Sequence, residues 1–489
     1  MEKVRYREHG GKEMKIKSFI KTLTNWRVVV CIQLVTTILT LFILHRLNIL
    51  PLRFFIIASV ILLLLEGLMA FIVSRKNVIA SQLGKVVSII LSILLIIVSI
   101  NVEKSTSVLN QITNSDSQIT RLNLIVMNDS GISKPEELAN KDIEYAYGES
   151  SEMKSGLEQL QEKVDSPDLS QVENVTDLAD DLYDGNTDAI FVNEAYSSLL
   201  EDTHETFTND TTIIYSIDIK EDVTDFAKQA DVTSESFNIF ISGIDTTGPV
   251  STISRSDVNM VVTVNPVTKK ILMTSIPRDY YVTLANLGQK DKLTHAGLGG
   301  VENSVRTVEN FLGIEINYYM KVNFTSLVEI VDALGGIDVE SPVSFTTLNG
   351  HYYIQAGMNH LNGDEALGFV RERYALSGGD NDRVKNQQRV LSAMIEKAMP
   401  PNIITNYTEI LDSIGGSFET NMTTSEITSL IRMQLDDLAS WDIEQIQLTG
   451  TGTTMTGGAY MPGSSLYYML PDEESVNSCK SQIEATMAN

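Results

Sequence analysis

Apolar and polar positions divide this chain into two regimes. Three nearly unbroken apolar stretches come first, at 28–44, 54–73 and 86–100. A helix needs roughly 17–25 apolar residues to cross a bilayer, so each is read as a membrane span, the third at the short end. The first is not read as a cleaved leader, because two more spans follow and no small-residue cleavage site stands out. Residues 101–120 turn polar and are expected to form a linker or juxtamembrane stalk. Beyond them the apolar runs shorten and alternate in character. Strands are predicted at 122–127, 143–147, 188–192 and 211–217, with helices at 134–139, 150–164 and 175–182, giving a small accessory α/β domain over 121–230. A second domain, over 236–488, opens with an apolar strand at 237–244. Residues 260–264 and 271–276 flank the turn Asn265-Pro266-Val267-Thr268-Lys269-Lys270 and predict a β-hairpin. Further strands are expected at 318–322, 337–339 and 443–448. Helices are expected at 301–312, 324–334, 363–369, 384–397, 407–414, 424–438 and 473–487. The fold class is therefore α/β: a layered mixed-sheet domain, a smaller accessory α/β domain and a three-helix membrane anchor at 28–100. No internal repeat at a fixed period is present.

Charge gives the expected orientation. Eight Lys and Arg precede the first span in the tail 1–27, and Arg75, Lys76 and Lys85 fill the second loop, against Arg46 and Arg53 in the first. The positive-inside rule then puts the N-terminus in the cytoplasm and everything after residue 100 outside, on a multi-pass cell-membrane protein. Residues 101–489 carry 24 Lys and Arg against 59 Asp and Glu. A field of that sign repels polyanions, so nucleic acid is not an expected partner. The only cysteines, Cys31 and Cys479, fall in a span and near the far end of the external region. A large exported region without disulfides suits a bacterial surface. The accessory domain holds no histidine–carboxylate cluster, Gly-rich phosphate loop or metal-ligand spacing; its acids read as a solvated face.

Against this acidity, four of the nine arginines after residue 100 gather within 371–389. Arg371 and Arg373, two apart, point the same way if the chain is extended there. Arg383 and Gln387, four apart on an expected helix, share a face. Arg389 lies elsewhere around that helix, and Asp380 and Asp382 precede it where they could cap its N-terminus. Other polar groups mark strand ends: Asp245 follows the strand 237–244, Arg255-Ser256-Asp257 precedes the hairpin and Pro277-Arg278-Asp279 leaves it. The hairpin sets Arg255 and Asp257 facing Arg278, and Asp245 joins them if its strand runs parallel to the one ending at Arg278. Ligands bind at such edges of α/β sheets. Guanidinium groups bind phosphate bidentately, and carboxylates supply the oxygen ligands of a hard divalent cation, so the set meets the needs of a metal–pyrophosphate site. The plainer alternative pairs the arginines with Glu372 or Asp382 and makes the aspartates turn residues.

In order along the chain stand G-I-D (243–245), R-S-D (255–257), S-I-P-R-D (275–279), L-T-H-A (293–296), A-L-G-F-V-R-E-R-Y (366–374) and D-N-D-R-V-K-N-Q-Q (380–388). This series resembles the LytR–CpsA–Psr family over about 236–488, and the three spans with an extra domain resemble its streptococcal capsule-locus members. The resemblance implies transfer of a glycopolymer, a capsular polysaccharide, from an undecaprenyl-pyrophosphate carrier to peptidoglycan through a phosphodiester. It implies Mg²⁺ held by Asp245 and Asp257, with Arg255, Arg278, Arg371, Arg373, Arg383 and Gln387 on the pyrophosphate and Asp380 supporting the arginines. Arg278, Arg371, Arg373 and Asp257 would be the catalytic set. It also implies a greasy groove for the polyprenyl tail, which runs such as 260–264 and 324–334 could line. For His295 a structural role is expected. A regulator or assembly scaffold working with other capsule-synthesis proteins, and a lipid-pyrophosphate phosphatase, are the alternatives.

Overall fold

The computed structural model describes residues 25–113, 117–148, 150–223, 225–244, 250–398 and 418–488. They form two compact units, one built on the N-terminal helices and including the helix Thr424–Asp437, the other on most of the chain from Asn110 onward.

In the first unit, the helices Trp26–Leu47, Leu52–Ser74 and Val78–Thr113 follow one another. Each is long and apolar enough to cross a membrane. Asn25 caps the first by accepting from the Arg27 N–H, and Pro51, with φ already helical, starts the second. Large side chains such as Phe42, Leu64 and Ile79 stand exposed, which suits contact with lipid rather than water. Thr40 Oγ1 lies 3.0 Å from Ser99 Oγ, a small polar contact of the kind that joins membrane helices. Arg53 and Asn48 hold the helix Thr424–Asp437 through Asp436 at 3.0 Å and Arg432 at 2.7 Å. The polar stretch expected as a linker is instead helical through Thr113 and becomes a strand from Ser117. Its polar character hid Leu109 and Ile112, three residues apart on one face and both buried.

The second unit begins with a five-stranded sheet. Its strands are β1 (Ser117–Met127), β2 (Asp142–Ala146), β3 (Asp168–Val172), β4 (Ala189–Asn193) and β5 (Thr211–Asp222), in the order β3-β2-β4-β1-β5. The helices Ser151–Lys163 and Val175–Asp184 pack on it, their buried positions at helical spacing. β3 was not expected, because this edge strand has no buried residue and so no apolar alternation.

The larger sheet is built on β6 (Phe237–Ile244), β7 (Ser256–Asn265) and β8 (Lys270–Ile276). Short pairs follow: β9 (Tyr281–Thr283) with β10 (Lys290–Lys292), then, after β11 (Tyr318–Val322), β12 (Ile337–Ser341) with β15 (Gly357–Leu361) and β13 (Phe345–Thr346) with β14 (Tyr353–Ile354). With β16 (Phe418–Thr420) and β17 (Asp442–Gln447) the main sheet has the order β16-β11-β6-β7-β8-β17. β6–β11 and β8–β17 are parallel; β6–β7, β7–β8 and β11–β16 are antiparallel. β6 and β8 therefore point the same way, and the hairpin closes at Asn265↔Lys270 with Lys269 left-handed at φ 58°. The helices at 300–312, 324–333, 363–371, 380–398 and 473–487 stand where the sequence predicts them within a few residues. The helix expected at 407–414 lies outside the described residues. One buried cluster runs from Phe240, Val261 and Leu272 of the main sheet into Val175, Leu178 and Leu199 of the N-terminal layer, so the two layers share a core.

Candidate active site

The end of β6, the start of β7 and the end of β8 meet at one sheet edge, where the register slips. Gly243 pairs with Val258 but Ile244 pairs with Ser256, leaving Asp257 as the extra residue of a β-bulge. Bulges re-aim a side chain out of the pleat. Here the Asp257 carboxylate accepts from Arg278 Nη1 at 2.8 Å on Oδ2 and from Thr294 Oγ1 at 2.9 Å on Oδ1. Burial pushes this carboxyl up, but the charge of Arg278 and Arg255, the Thr294 hydrogen bond and the charge of Arg383 outweigh it, so it titrates below the ordinary carboxylate value. Thr294 belongs to the quoted L-T-H-A series, yet its role was not foreseen, because a threonine in a turn gives no periodic signal. The next residue, His295, is wholly buried, with Nδ1 2.9 Å from Asp291 Oδ1 and away from the cavity wall, which fits a structural role.

Gly297 explains how this 3-10 segment comes so close. A Cβ there would stand 2.4 Å from the Ser254 carbonyl and 2.6 Å from the Ser256 nitrogen. Both contacts are backbone, so Gly297→Ala is expected to cost about 1–3 kcal/mol of stability, read as a lowered thermal midpoint, and to weaken ligand binding at Asp257.

The helix Gly363–Arg371 starts at an Asn362–Glu365 capping box and delivers Arg371 as its last residue. Glu372 then turns the chain. Its buried carboxylate accepts from the N–H groups of Leu348 at 2.6 Å, Ala375 at 2.8 Å and Arg373 at 3.1 Å. Glu372 thus spends its charge on backbone, and among the described residues no carboxylate pairs with Arg371 or Arg373. Arg371 lies over the Phe324 ring at 4.2 Å, and Arg373 Nη2 donates to Tyr374 Oη at 2.6 Å. These two arginines reach one site across a helix end rather than along an extended strand.

On the helix Asp380–Ala398, buried Gln388 donates to the Ile446 carbonyl at 2.7 Å and Asn386 to that of Phe369 at 3.3 Å. These anchors fix the helix rotation and turn Arg383 and Gln387 to the cavity. Arg389 instead bonds Asn386 Oδ1 at 2.8 Å. Asp382 ties down the preceding loop, accepting from Gly378 N at 2.9 Å and lying 3.3 Å from Lys385 Nζ, rather than pairing with an arginine of the cluster. Asp380 is the first residue of this helix.

Asp257, Arg278, Arg371, Arg373, Arg383 and Gln387 all line one cavity of about 530 Å³. The rest of its wall is apolar, from Ile241, Met260, Met320 and Val322 on the strands to Leu327, Ile330, Val390, Leu391 and Met394 on the helices. The two characters are separated along each element. On the long helix the lining passes from Arg383 and Gln387 to Leu391 and Met394 over about 16 Å at 1.5 Å per residue. On β7 it passes from Asp257 to Met260. The parallel register Ile241↔Met320 and Gly243↔Val322 puts alternate residues of β6 and β11 on the wall.

Two expected site residues are not on that wall. Arg255 points elsewhere, its Nη1 4.0 Å from Asp202 Oδ2. Its place in the chain suggested the cavity, but its side chain is turned to Asp202 while Asp257 lines the wall. Asp245 lies outside the described residues; the strand leading to it ends at Ile244, paired with Ser256.

Residues 197–483 match the model of the LytR–CpsA–Psr family, well over half of the chain. The protein is a member of the LytR–CpsA–Psr family. Among its relatives, the Bacillus anthracis polyisoprenyl-teichoic acid–peptidoglycan teichoic acid transferase TagU is 36% identical over 257 residues, covering 52% of this chain and 81% of that protein. The Enterococcus faecalis protein of the same name is 35% identical over 230 residues, 46% of this chain and 74% of that one. The crystal structure of B. subtilis TagV aligns at 31% identity with a TM-score of 0.45, over 52% of this chain and 98% of that one. For this family member five of the six quoted motifs place residues on the cavity wall, the sixth reaching it through Thr294 and Asp257, and the match begins at the helix Ser197–Thr203, inside the N-terminal α/β layer.

Proposed function

We propose that this protein transfers a glycopolymer from a polyisoprenyl-pyrophosphate carrier to peptidoglycan through a phosphodiester link. The observation that carries the reading is the amphiphilic cavity, with four arginines at the sheet edge and an apolar wall extending away from them. That division matches a ligand with a compact polyanionic head and a hydrocarbon tail. The names of the relatives support the reaction class. Three apolar helices support a membrane location, where the head of a lipid-linked substrate lies at the bilayer surface. We assign the cytoplasmic side to the N-terminus, from the basic residues that flank the spans.

In the proposed reaction a peptidoglycan sugar hydroxyl attacks the sugar-linked phosphorus. The new O–P bond forms as the bond to the polyisoprenyl phosphate breaks, and that phosphate leaves with the electron pair. The hydroxyl proton passes to a base that is not assigned. Arg371, Arg373 and Arg383 stabilise charge on the equatorial and leaving oxygens, while the site mainly positions the reactants. Asp257, with both oxygens already accepting hydrogen bonds, orients Arg278 rather than taking the proton.

The ionised Asp257 keeps a lone pair on each oxygen and fits a hard cation as one ligand. Among the described residues no group of three His, Cys, Asp or Glu could hold a metal by itself. Asp257 with Asp245 would hold Mg²⁺, the remaining ligands being phosphate oxygens. When bound, the ion would supply charge neutralisation at the pyrophosphate. Chelation with EDTA should abolish transfer by the purified full-length protein and added Mg²⁺ should restore it; an undiminished rate in EDTA would remove the metal from this account. We assign the polymer as capsular polysaccharide, on the likeness of the three-span anchor to capsule-locus members, although the relatives are named for teichoic acid. Offering both lipid-linked polymers to the protein tests this, with capsular polymer the expected faster substrate.

A further inference from the structure

The short segment that carries Arg255 is fixed from three sides. From the N-terminal layer, Ile119 of β1 pairs with Thr252, donating to the Ser251 carbonyl at 3.1 Å and accepting from the Ile253 N–H at 3.2 Å. From the main sheet, the buried Lys321 Nζ donates to the Thr252 carbonyl at 2.7 Å. From the 3-10 segment, the absent Cβ of Gly297 admits the Ser254–Ser256 backbone. With its backbone held, Arg255 has only its side chain to move. That side chain is about four-fifths buried and faces Asp202 on the helix Ser197–Thr203, while the neighbouring Asp257 lines the cavity. Only Ser256 separates Arg255 from Asp257, so its long side chain starts within about 7 Å of the cavity edge.

We propose that Asp202 is a positioning residue of the pyrophosphate site: it holds the Arg255 guanidinium at the junction of the two layers, and an anionic head in the cavity draws Arg255 away from it. This rests on the reading of the cavity as a pyrophosphate site. It gives the N-terminal α/β layer a part in ligand binding, through the counter-ion of an arginine carried by the main sheet. Because the Asp202 carboxylate competes with the ligand for one guanidinium, its removal tightens binding. The 4.0 Å separation of a part-exposed pair sets a modest scale, about two- to five-fold in Kd.

The test is titration calorimetry of farnesyl pyrophosphate into detergent-solubilised full-length protein, with thermal midpoints measured alongside. Asp202→Asn should bind about two- to five-fold more tightly than the wild type, and Asp202→Glu should resemble the wild type. In an Arg255→Ala background Asp202→Asn should bring no further change, since the effect passes through Arg255. Unchanged or weaker binding by Asp202→Asn overturns the proposal. So does a tightening that persists in full without Arg255, which would show simple repulsion between Asp202 and the anion. Failure of the wild type to bind, or undiminished binding by Arg371→Ala, would overturn the pyrophosphate reading and this inference together.

Discussion

Replacing Arg371 with alanine is expected to lower polymer transfer about 10²–10³-fold with little change in thermal midpoint, the scale seen when one preorganised donor is removed from a charged transition state. The two effects separate because of where Arg371 sits. It is the last residue of a helix and exposed, with its guanidinium over the Phe324 ring and, among the described residues, no carboxylate partner. Its loss strands no buried charge, and the stacking on Phe324 contributes about 0.5–1 kcal/mol at such a site. Glu372 keeps its three backbone donors, so the turn that presents Arg373 should survive. Arg371→Lys should recover only part of the rate, since an ammonium cannot reproduce bidentate phosphate contact. Steady-state transfer rates with matched unfolding curves check this. A normal rate at normal protein level would remove Arg371 from the site.

Arg278→Ala should behave differently, losing activity and stability together. The Arg278 and Asp257 side chains are 22% and 16% exposed and joined at 2.8 Å. Removing the arginine leaves a mostly buried carboxylate with the Thr294 hydrogen bond and the less direct charges of Arg255 and Arg383, and breaking such a pair costs about 3 kcal/mol. The pH dependence follows from the sign of the Asp257 shift. Its folded value lies below the ordinary carboxylate value, so its contribution to stability is fully present above about pH 4 and is lost as pH falls through the folded value. The penalty of Arg278→Ala should therefore be largest near neutral pH and shrink in acid. Asp257→Asn in the Arg278→Ala background should recover much of the stability and none of the activity. Thermal midpoints of the four proteins at pH 7 and at about pH 3, below the ordinary carboxylate value, provide the check; a penalty independent of pH would mean that Asp257 does not carry it.

Periodicity and motif order made much of this protein legible from its residues. The hairpin and the shared face of Arg383 and Gln387 rest on local repeats, which survive packing, whereas the orientation of β6 relative to β8 stayed open until the strand pairing was seen. What escaped depends on registers and contacts between distant segments. The bulge at Asp257 is a one-residue slip that no alternation announces, and Asp257 with it reaches the cavity wall. Buried Asn386, Gln388 and Glu372 look like surface residues until their partners, the carbonyls of Phe369 and Ile446 and three backbone N–H groups, are in place. The cavity wall reads as ordinary core, because Met320 and Leu327 would be apolar in either role. Residues 101–113 were too polar to read as the continuation of a span, yet the helix continues.

The central claim is that the cavity presents the sugar-linked phosphorus of a lipid pyrophosphate to a peptidoglycan hydroxyl. The direct measurement places a radioactive label on that phosphorus, supplies purified full-length protein with peptidoglycan, and follows where the label goes. The account predicts label bound to peptidoglycan in a phosphodiester between polymer and sugar, with unlabelled polyisoprenyl phosphate released and transfer by Arg371→Ala about 10²–10³-fold slower. Label released as a soluble polymer phosphate would show water as the acceptor and contradict transfer, and label remaining on the lipid would contradict the chemistry altogether.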